Sequence, residues 1–235
     1  MNWIEYWNGA PPLYVNARHK LLHGRQVARD IVSVLPDPDA AVMDYGCGEA
    51  LAADEVAAAC GSLILADAAD TVRAGLESRF SGHATVSVLS PDEVADLAGH
   101  SLDLIVINSL LQYLDRPASA ALLATAHDKL KPTGRLVVAD VVPPDVSPVA
   151  DAAALLAFAA RGGFLLAALG GLARTALSDY GRLRKQLGFT TYAEDEFLTL
   201  LDHAGFEGER RHPNFGHNQA RMCFVARPRL APGEA

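Results

Sequence analysis

Cysteine is scarce in this chain. Cys47, Cys60 and Cys223 are spread over 235 residues with no Cys-x-x-Cys pair, which excludes a disulfide framework and points to a reducing, cytoplasmic compartment. Basic residues are outnumbered, 20 Lys and Arg against 28 Asp and Glu, for a formal charge of −8. That excludes a general nucleic-acid binder, whose basic surface must displace counterions. The opening residues Met1–Trp7 lack the basic start and apolar stretch of a secretory signal, so export is not expected. An uninterrupted apolar run is missing too. Residues 152–169 come nearest, but Arg161-Gly162-Gly163 divide them, whereas a bilayer span wants about 20 apolar residues without a central charge. Contact with a membrane surface stays open.

What is present suits one α/β domain with additions: half of the residues are hydrophobic and a fifth charged, enough for a sizeable core. Residues 1–39 read as an irregular start, with turn chemistry at Asn8-Gly9-Ala10-Pro11-Pro12, followed by a helix from about Asn16 to Leu35. Short apolar runs then alternate with helical stretches. Strands are predicted at 41–44, 62–67, 84–89, 102–107 and 135–142, with helices between them. This rhythm implies a parallel sheet covered by helices on both faces. After Pro143-Pro144 residues 149–187 read as helical, an amphipathic helix follows at 194–204, and two strand candidates, 206–211 and 220–226, suggest an antiparallel pair. The tail from Pro228 is expected to fray.

The most informative stretch is Val42-Met43-Asp44-Tyr45-Gly46-Cys47-Gly48-Glu49-Ala50. An apolar strand ends on a carboxylate, and a turn with two glycines leads toward a helix. Glycine lets the backbone turn sharply and lets a ligand press against it, and the helix start beyond offers free N–H groups. A dinucleotide fingerprint needs a third small residue where Leu51 stands, so an adenosine-bearing ligand without phosphates fits better. Asp67, 23 positions after Asp44, ends the second strand beside this turn, where a carboxylate can accept hydrogen bonds from ribose hydroxyls. The plain alternatives are a ligand-free strand-to-helix turn and a solvated loop aspartate.

Together with Leu102–Tyr113 and Leu130-Lys131-Pro132-Thr133-Gly134-Arg135-Leu136, these motifs resemble the class I S-adenosylmethionine-dependent methyltransferases over residues 40–145 and again near 191–227. The resemblance implies a Rossmann-like, seven-stranded, mostly parallel sheet with an antiparallel last strand. An N-terminal helix and a helical cap inserted after the fifth strand complete it. The expected divisions are 1–39, an N-terminal helical segment; 40–146, the S-adenosylmethionine-binding core; 147–190, the cap; 191–228, the closing helix and strand pair; and 229–235, a flexible tail. In site terms it implies that Gly46 and Gly48 admit the methionine part of S-adenosylmethionine and Asp67 holds the ribose. Asp44 orients the amino-acid end, and the carbonyl of Asn108 faces the ammonium. Ser109, Gln112 and Tyr113 point to the substrate side. Two departures stand out: Ala50 replaces the third glycine of the first motif, and Leu89-Ser90-Pro91 replaces an acidic end to the third strand, leaving Ser90 or Asp92 for the adenine.

The expected activity is in-line methyl transfer to a small apolar or amphipathic acceptor. Alignment and exclusion of water do much of that work, and a general base is needed only when the acceptor must lose a proton. Tyr113 and His217 are the candidates for such a role, with Tyr14 and Arg161 on the substrate side. His19 and His23 have metal-ligand spacing, but no third ligand is identifiable and Arg18, Lys20 and Arg25 would repel a cation; no metal site is expected. The apolar segment 149–177 must bury itself against the pocket mouth, a second subunit or a membrane surface. Its Gly162-Gly163 and Gly170-Gly171 pairs are candidate hinges. The rival readings are a nucleotide-linked oxidoreductase on a related fold and a non-catalytic, degenerate methyltransferase-fold binding module. Oligomeric state is not legible in the sequence.

Overall fold

The computed structural model describes residues 3–9, 14–176 and 188–229. Seven strands form one sheet in the order β3-β2-β1-β4-β5-β7-β6: β1 (Ala41–Tyr45), β2 (Ser62–Ala66), β3 (Val86–Leu89), β4 (Leu102–Asn108), β5 (Leu130–Val141), β6 (Phe206–Arg211) and β7 (Met222–Pro228). The first five run parallel, and β7 inserts antiparallel between β5 and β6. This is the Rossmann-like methyltransferase fold. The predicted strands are found, with β5 starting five residues earlier than the predicted 135.

Apolarity on both faces makes β4 a central strand. Leu104 and Val106 enter one core cluster and Ile105 and Ile107 the other, as side chains alternating across a pleated sheet must. Helix α2 (Ala17–Val32) covers the first face through Ala28 and Ile31, with α3 (Ala53–Ala57) and α4 (Asp70–Arg79) beside it. The second face carries α5 (Pro91–Ala95), α6 (Arg116–Lys129) and α9 (Glu194–His203). Phe197 of α9 meets Phe224 of β7 at 4.6 Å and Tyr192 at 5.3 Å between ring centres, so truncating it to Ala would cost about 3–5 kcal/mol.

The chain start departs from the expected irregular segment. Residues Trp3–Asn8 form a short helix, α1, and Asn8 Oδ1 accepts the Thr71 amide of α4 at 3.2 Å. Of the predicted turn around Asn8–Pro12, residues 10–12 lie outside the described residues, as do 177–187 of the predicted helical segment and the tail from 230. After β5 come α7 (Pro148–Gly162) and α8 (Leu165–Ala176). They dock on α2: Ala159, Phe164 and Ala168 pack with Val15 and Leu22. Gly171 is a close contact point, since a Cβ there would sit 2.2 Å from Val15. Among the described residues no helix is long and apolar enough to cross a membrane.

Candidate active site

The turn after β1 is built by backbone bonds to β2. Ala66 O accepts the amides of Gly46 at 2.8 Å and Cys47 at 3.1 Å. Asp67 then accepts the Gly48 amide on Oδ2 and the Ala69 amide on Oδ1, both at 2.9 Å, which leaves a second lone-pair direction on each oxygen. The two glycines have different reasons. Both have positive φ, 74° at Gly46 and 54° at Gly48, where a Cβ is strained. At Gly46 the Cβ would also meet Leu110 at 2.7 Å, whereas at Gly48 nothing lies within 4 Å. Gly46 thus serves the protein's own packing, and Gly48 faces open space. Ala50 takes the third-glycine position with φ 40°, and Arg79 braces the turn by donating to the carbonyls of Glu49 and Ala50.

Asp44, one residue before the end of β1, is buried, and its carboxyl is pushed up to about 7 by that burial and by the nearby Asp67 carboxylate. Ser90 is spent locally: its hydroxyl accepts the Glu93 amide and Glu93 returns the bond, capping α5. Pro91, its neighbour, lines the cavity; Ser90 does not.

Across β1 lie the ends of β4 and β5. Asn108 closes β4, and Ser109 follows with φ 56°; Asp140 near the end of β5 has φ 59°. Left-handed conformations at non-glycine residues cost of order 1–3 kcal/mol each and concentrate at functional sites. Asp140 is a site residue the sequence did not suggest. Its carboxyl is pushed up mainly by burial, with Asp151 adding to the rise; Arg221, Ser109 and Asn214 pull it down.

The opposite wall is aromatic. Trp3 and Trp7 of α1 pack on Tyr113 at 4.6 and 5.6 Å between ring centres, and Phe189 meets Tyr113 at 5.7 Å. Beside them Gln112 is buried with no partner for Oε1. Along the cap side, His19, His23 and His217 form a triangle with ring centres 6.0–6.2 Å apart. His217 stacks on Phe158 and His19 on Phe164. Burial and mutual repulsion push His19 and His23 down to about 4, and burial with Arg161 lowers His217. Tyr14, against His19 and His23, is pushed up to about 12 by burial and Glu49. Among the described residues no group of three His, Cys, Asp or Glu side chains is arranged to hold a metal ion. Asp151 of α7 accepts Arg221 Nη2 on both oxygens at 2.8 Å and Asn218 Nδ2 at 2.9 Å.

One cavity of about 1690 Å³ joins these parts. Single-ligand pockets run about 300–1,000 Å³, so this one has room for two ligands side by side. Of the residues expected at the site, Tyr14, Asp44, Gly46, Gly48, Asp67, Asn108, Ser109, Gln112, Tyr113 and His217 all line it. Arg161 does not: it is exposed on α7, with Nε on the Ala157 carbonyl. Phe158 and Leu166 of the apolar segment 149–177 are likewise not in the wall, and Leu166 is 85% exposed.

A family model for a methyltransferase domain matches residues 18–210. The chain therefore belongs to the methyltransferase-domain family, on the Rossmann-like fold of the class I S-adenosylmethionine-dependent methyltransferases. No curated protein matches it in sequence. Among solved structures it is similar to magnesium protoporphyrin IX methyltransferase from Synechocystis PCC 6803 with bound S-adenosylhomocysteine: 16% identity, 88% of this chain and 84% of that one, TM-score 0.57. The YcgJ protein from Bacillus subtilis aligns at 14% identity over 89% and 100%, TM-score 0.59. A TehB-like S-adenosylmethionine-dependent methyltransferase from Corynebacterium glutamicum aligns at 16% over 87% and 88%, TM-score 0.54. At these identities the likeness is one of fold.

Proposed function

We propose that this chain is an enzyme that binds S-adenosylmethionine in the cavity over β1, β2 and β4 and transfers its methyl group to a small apolar or amphipathic acceptor. The observation that carries this reading is one continuous cavity among the described residues. It runs from the Gly48–Asp67 turn, past Asn108 and Ser109, to the aromatic wall of Trp3, Trp7 and Tyr113. The chain's own residues suit the cofactor. Open space at Gly48 receives the methionine part, and the unused lone pairs of Asp67 accept the ribose hydroxyls. Asp44 supplies negative charge near the ammonium, and the Asn108 carbonyl faces the same group. Pro91, rather than Ser90, is the third-strand residue at hand for the adenine.

When bound, S-adenosylmethionine supplies a methyl group already activated on sulfonium sulfur. What remains for the protein is to align the acceptor and exclude water. The tryptophans of α1 with Tyr113 and Phe189 do the second, and the buried Gln112 amide orients a polar group of the acceptor. In this reading 40–146 and 191–228 form the cofactor-binding core, 1–39 closes over it, and 147–190 is the cap. Leu51 packs against Gly24 of α2 where a dinucleotide would need a small residue.

Calorimetric titration with S-adenosylmethionine, S-adenosylhomocysteine and NAD tests the reading. Binding of the two sulfur ligands without NAD supports it. Binding of NAD alone moves the chain to the dinucleotide reading, and binding of none of them to a non-catalytic module.

A further inference from the structure

Two neighbouring strands end in the same unusual way. Ser109 and Asp140 both hold left-handed backbones without being glycine, and they are bonded to each other: the Ser109 hydroxyl donates to Asp140 Oδ2 at 2.8 Å. Asp140 in turn gives its amide to Asn214 Oδ1 at 3.0 Å. Asn214 is itself fixed, buried, with Nδ2 on the carbonyls of Phe215 and Asn218. Ser109 thus holds the carboxyl group and Asn214 the backbone that carries it, in the wall of the cavity.

Its position in the sheet gives the arrangement a direction. β4 lies between β1 and β5, and Asn108 pairs with Ala139, which sets Asp140 about one inter-strand spacing, roughly 4.8 Å, beyond Ser109. A ligand over the β1–β4 crevice, where open α/β sheets bind them, therefore has Asp140 on the side away from the glycine turn. That is the acceptor's side.

Building on the methyltransferase reading, we propose that Asp140 is the proton acceptor of the reaction and that the acceptor substrate is a neutral nucleophile bearing that proton, an O–H or N–H group. A lone pair on the acceptor oxygen or nitrogen forms the new bond to the methyl carbon of the sulfonium donor. The sulfur keeps the electron pair of the broken S–C bond. The acceptor's proton passes to Asp140 and from there to solvent, so charge and atoms balance. Ser109 is a positioning residue for Asp140. Burial raises the carboxyl above its ordinary value, and a carboxylate with a raised pKa is a more effective base. The charged groups facing it are Arg221 and Asp151. The histidines suit the role less, because they are pushed down and two are held in ring stacks.

The test uses the full chain, radiolabelled S-adenosylmethionine and a probe set of simple phenols, alcohols and amines beside iodide, which carries no proton. Cofactor binding is measured first; its absence overturns the parent reading, not this one. The expected result is transfer to at least one proton-bearing probe. Asp140→Asn should lower that rate about 100-fold or more and remove the acid limb of its pH profile, with S-adenosylhomocysteine affinity within about twofold of the parent. Ser109→Ala removes a donor that favours the ionised carboxylate, so it should move the limb to higher pH. It stands in if Asp140→Asn does not fold. A readout independent of turnover follows the Asp140 carboxyl by carbon-13 NMR in the S-adenosylhomocysteine complex. It should titrate above the usual carboxylate range and shift when a phenol is added. A carboxyl that titrates in the ordinary range, one indifferent to every probe, an Asp140→Asn enzyme within tenfold of the parent, or transfer to iodide alone would each overturn the proposal.

Discussion

Asp67 Oδ2 accepts the Gly48 amide at 2.9 Å, so the carboxylate expected to meet the ribose also holds the glycine turn in shape. Asp67→Ala removes both functions. Bonds to a charged acceptor are worth about 1.5–3 kcal/mol, so affinity for S-adenosylmethionine should drop at least about tenfold, with a lower melting temperature. Asp67→Asn should do less, because its amide oxygen can still accept one of the two backbone N–H groups while its NH2 cannot accept the other. Calorimetry and thermal melts on the two variants check this; unchanged affinity in either would remove Asp67 from the site.

The two turn glycines should separate experimentally. Gly46→Ala puts a methyl group 2.7 Å from Leu110 on a strained backbone, so it should lower stability first, and Leu110→Ala should restore part of the loss. Gly48→Ala carries the backbone penalty alone, about 1–2 kcal/mol, but its methyl enters the cofactor's space. Its loss in S-adenosylhomocysteine affinity should exceed its loss in stability. Paired denaturation and binding curves give both numbers; a reversed order would exchange the roles assigned to the two residues.

Asp44 makes binding pH-dependent. In the free protein its carboxyl is held near 7, so below that pH it carries a proton that a ligand ammonium must displace. Affinity for S-adenosylhomocysteine should therefore fall as pH drops through 7, approaching about tenfold per unit, and level off above it. Asp44→Asn should bind more weakly with a flat profile. A parent protein with a flat profile from pH 5.5 to 8 would mean the ammonium lies elsewhere.

The histidine triangle sets an acid limit on stability. His19 and His23 sit near 4 when folded against about 6.5 unfolded, so the unfolded chain binds more protons between those values. Their contribution is complete above pH 6.5 and is lost as pH falls toward 4. His23→Leu should flatten the melting-temperature profile between pH 6.5 and 4.5. A profile as steep as the parent's would exclude His23 as a source of the acid sensitivity.

Much of this was readable from residue order, and the exceptions have physical causes. β4 declares itself because both faces are buried, and Asp67 because the strand–turn spacing places it. Asp140 was not legible: its carboxyl is held by Ser109 and its backbone amide by Asn214, which is 74 residues away. Nor was α1, six residues long and too short to be stable alone; Asn8 ties it to Thr71. Arg161 was misplaced for a periodic reason. Asp151, Leu155 and Phe158 follow the inward stripe of α7, through Arg221, the cap cluster and His217 respectively, and Arg161 falls off that stripe onto the exposed face.

The chain's two tryptophans, Trp3 and Trp7, both stand against Tyr113 in the cavity wall. Every indole in the protein is thus a spectroscopic witness to the same few ångströms. Ultraviolet emission excited at the indole band reports on that spot alone, with no background from elsewhere in the fold. Occupancy of the cavity can be followed in solution with neither a label nor a known acceptor.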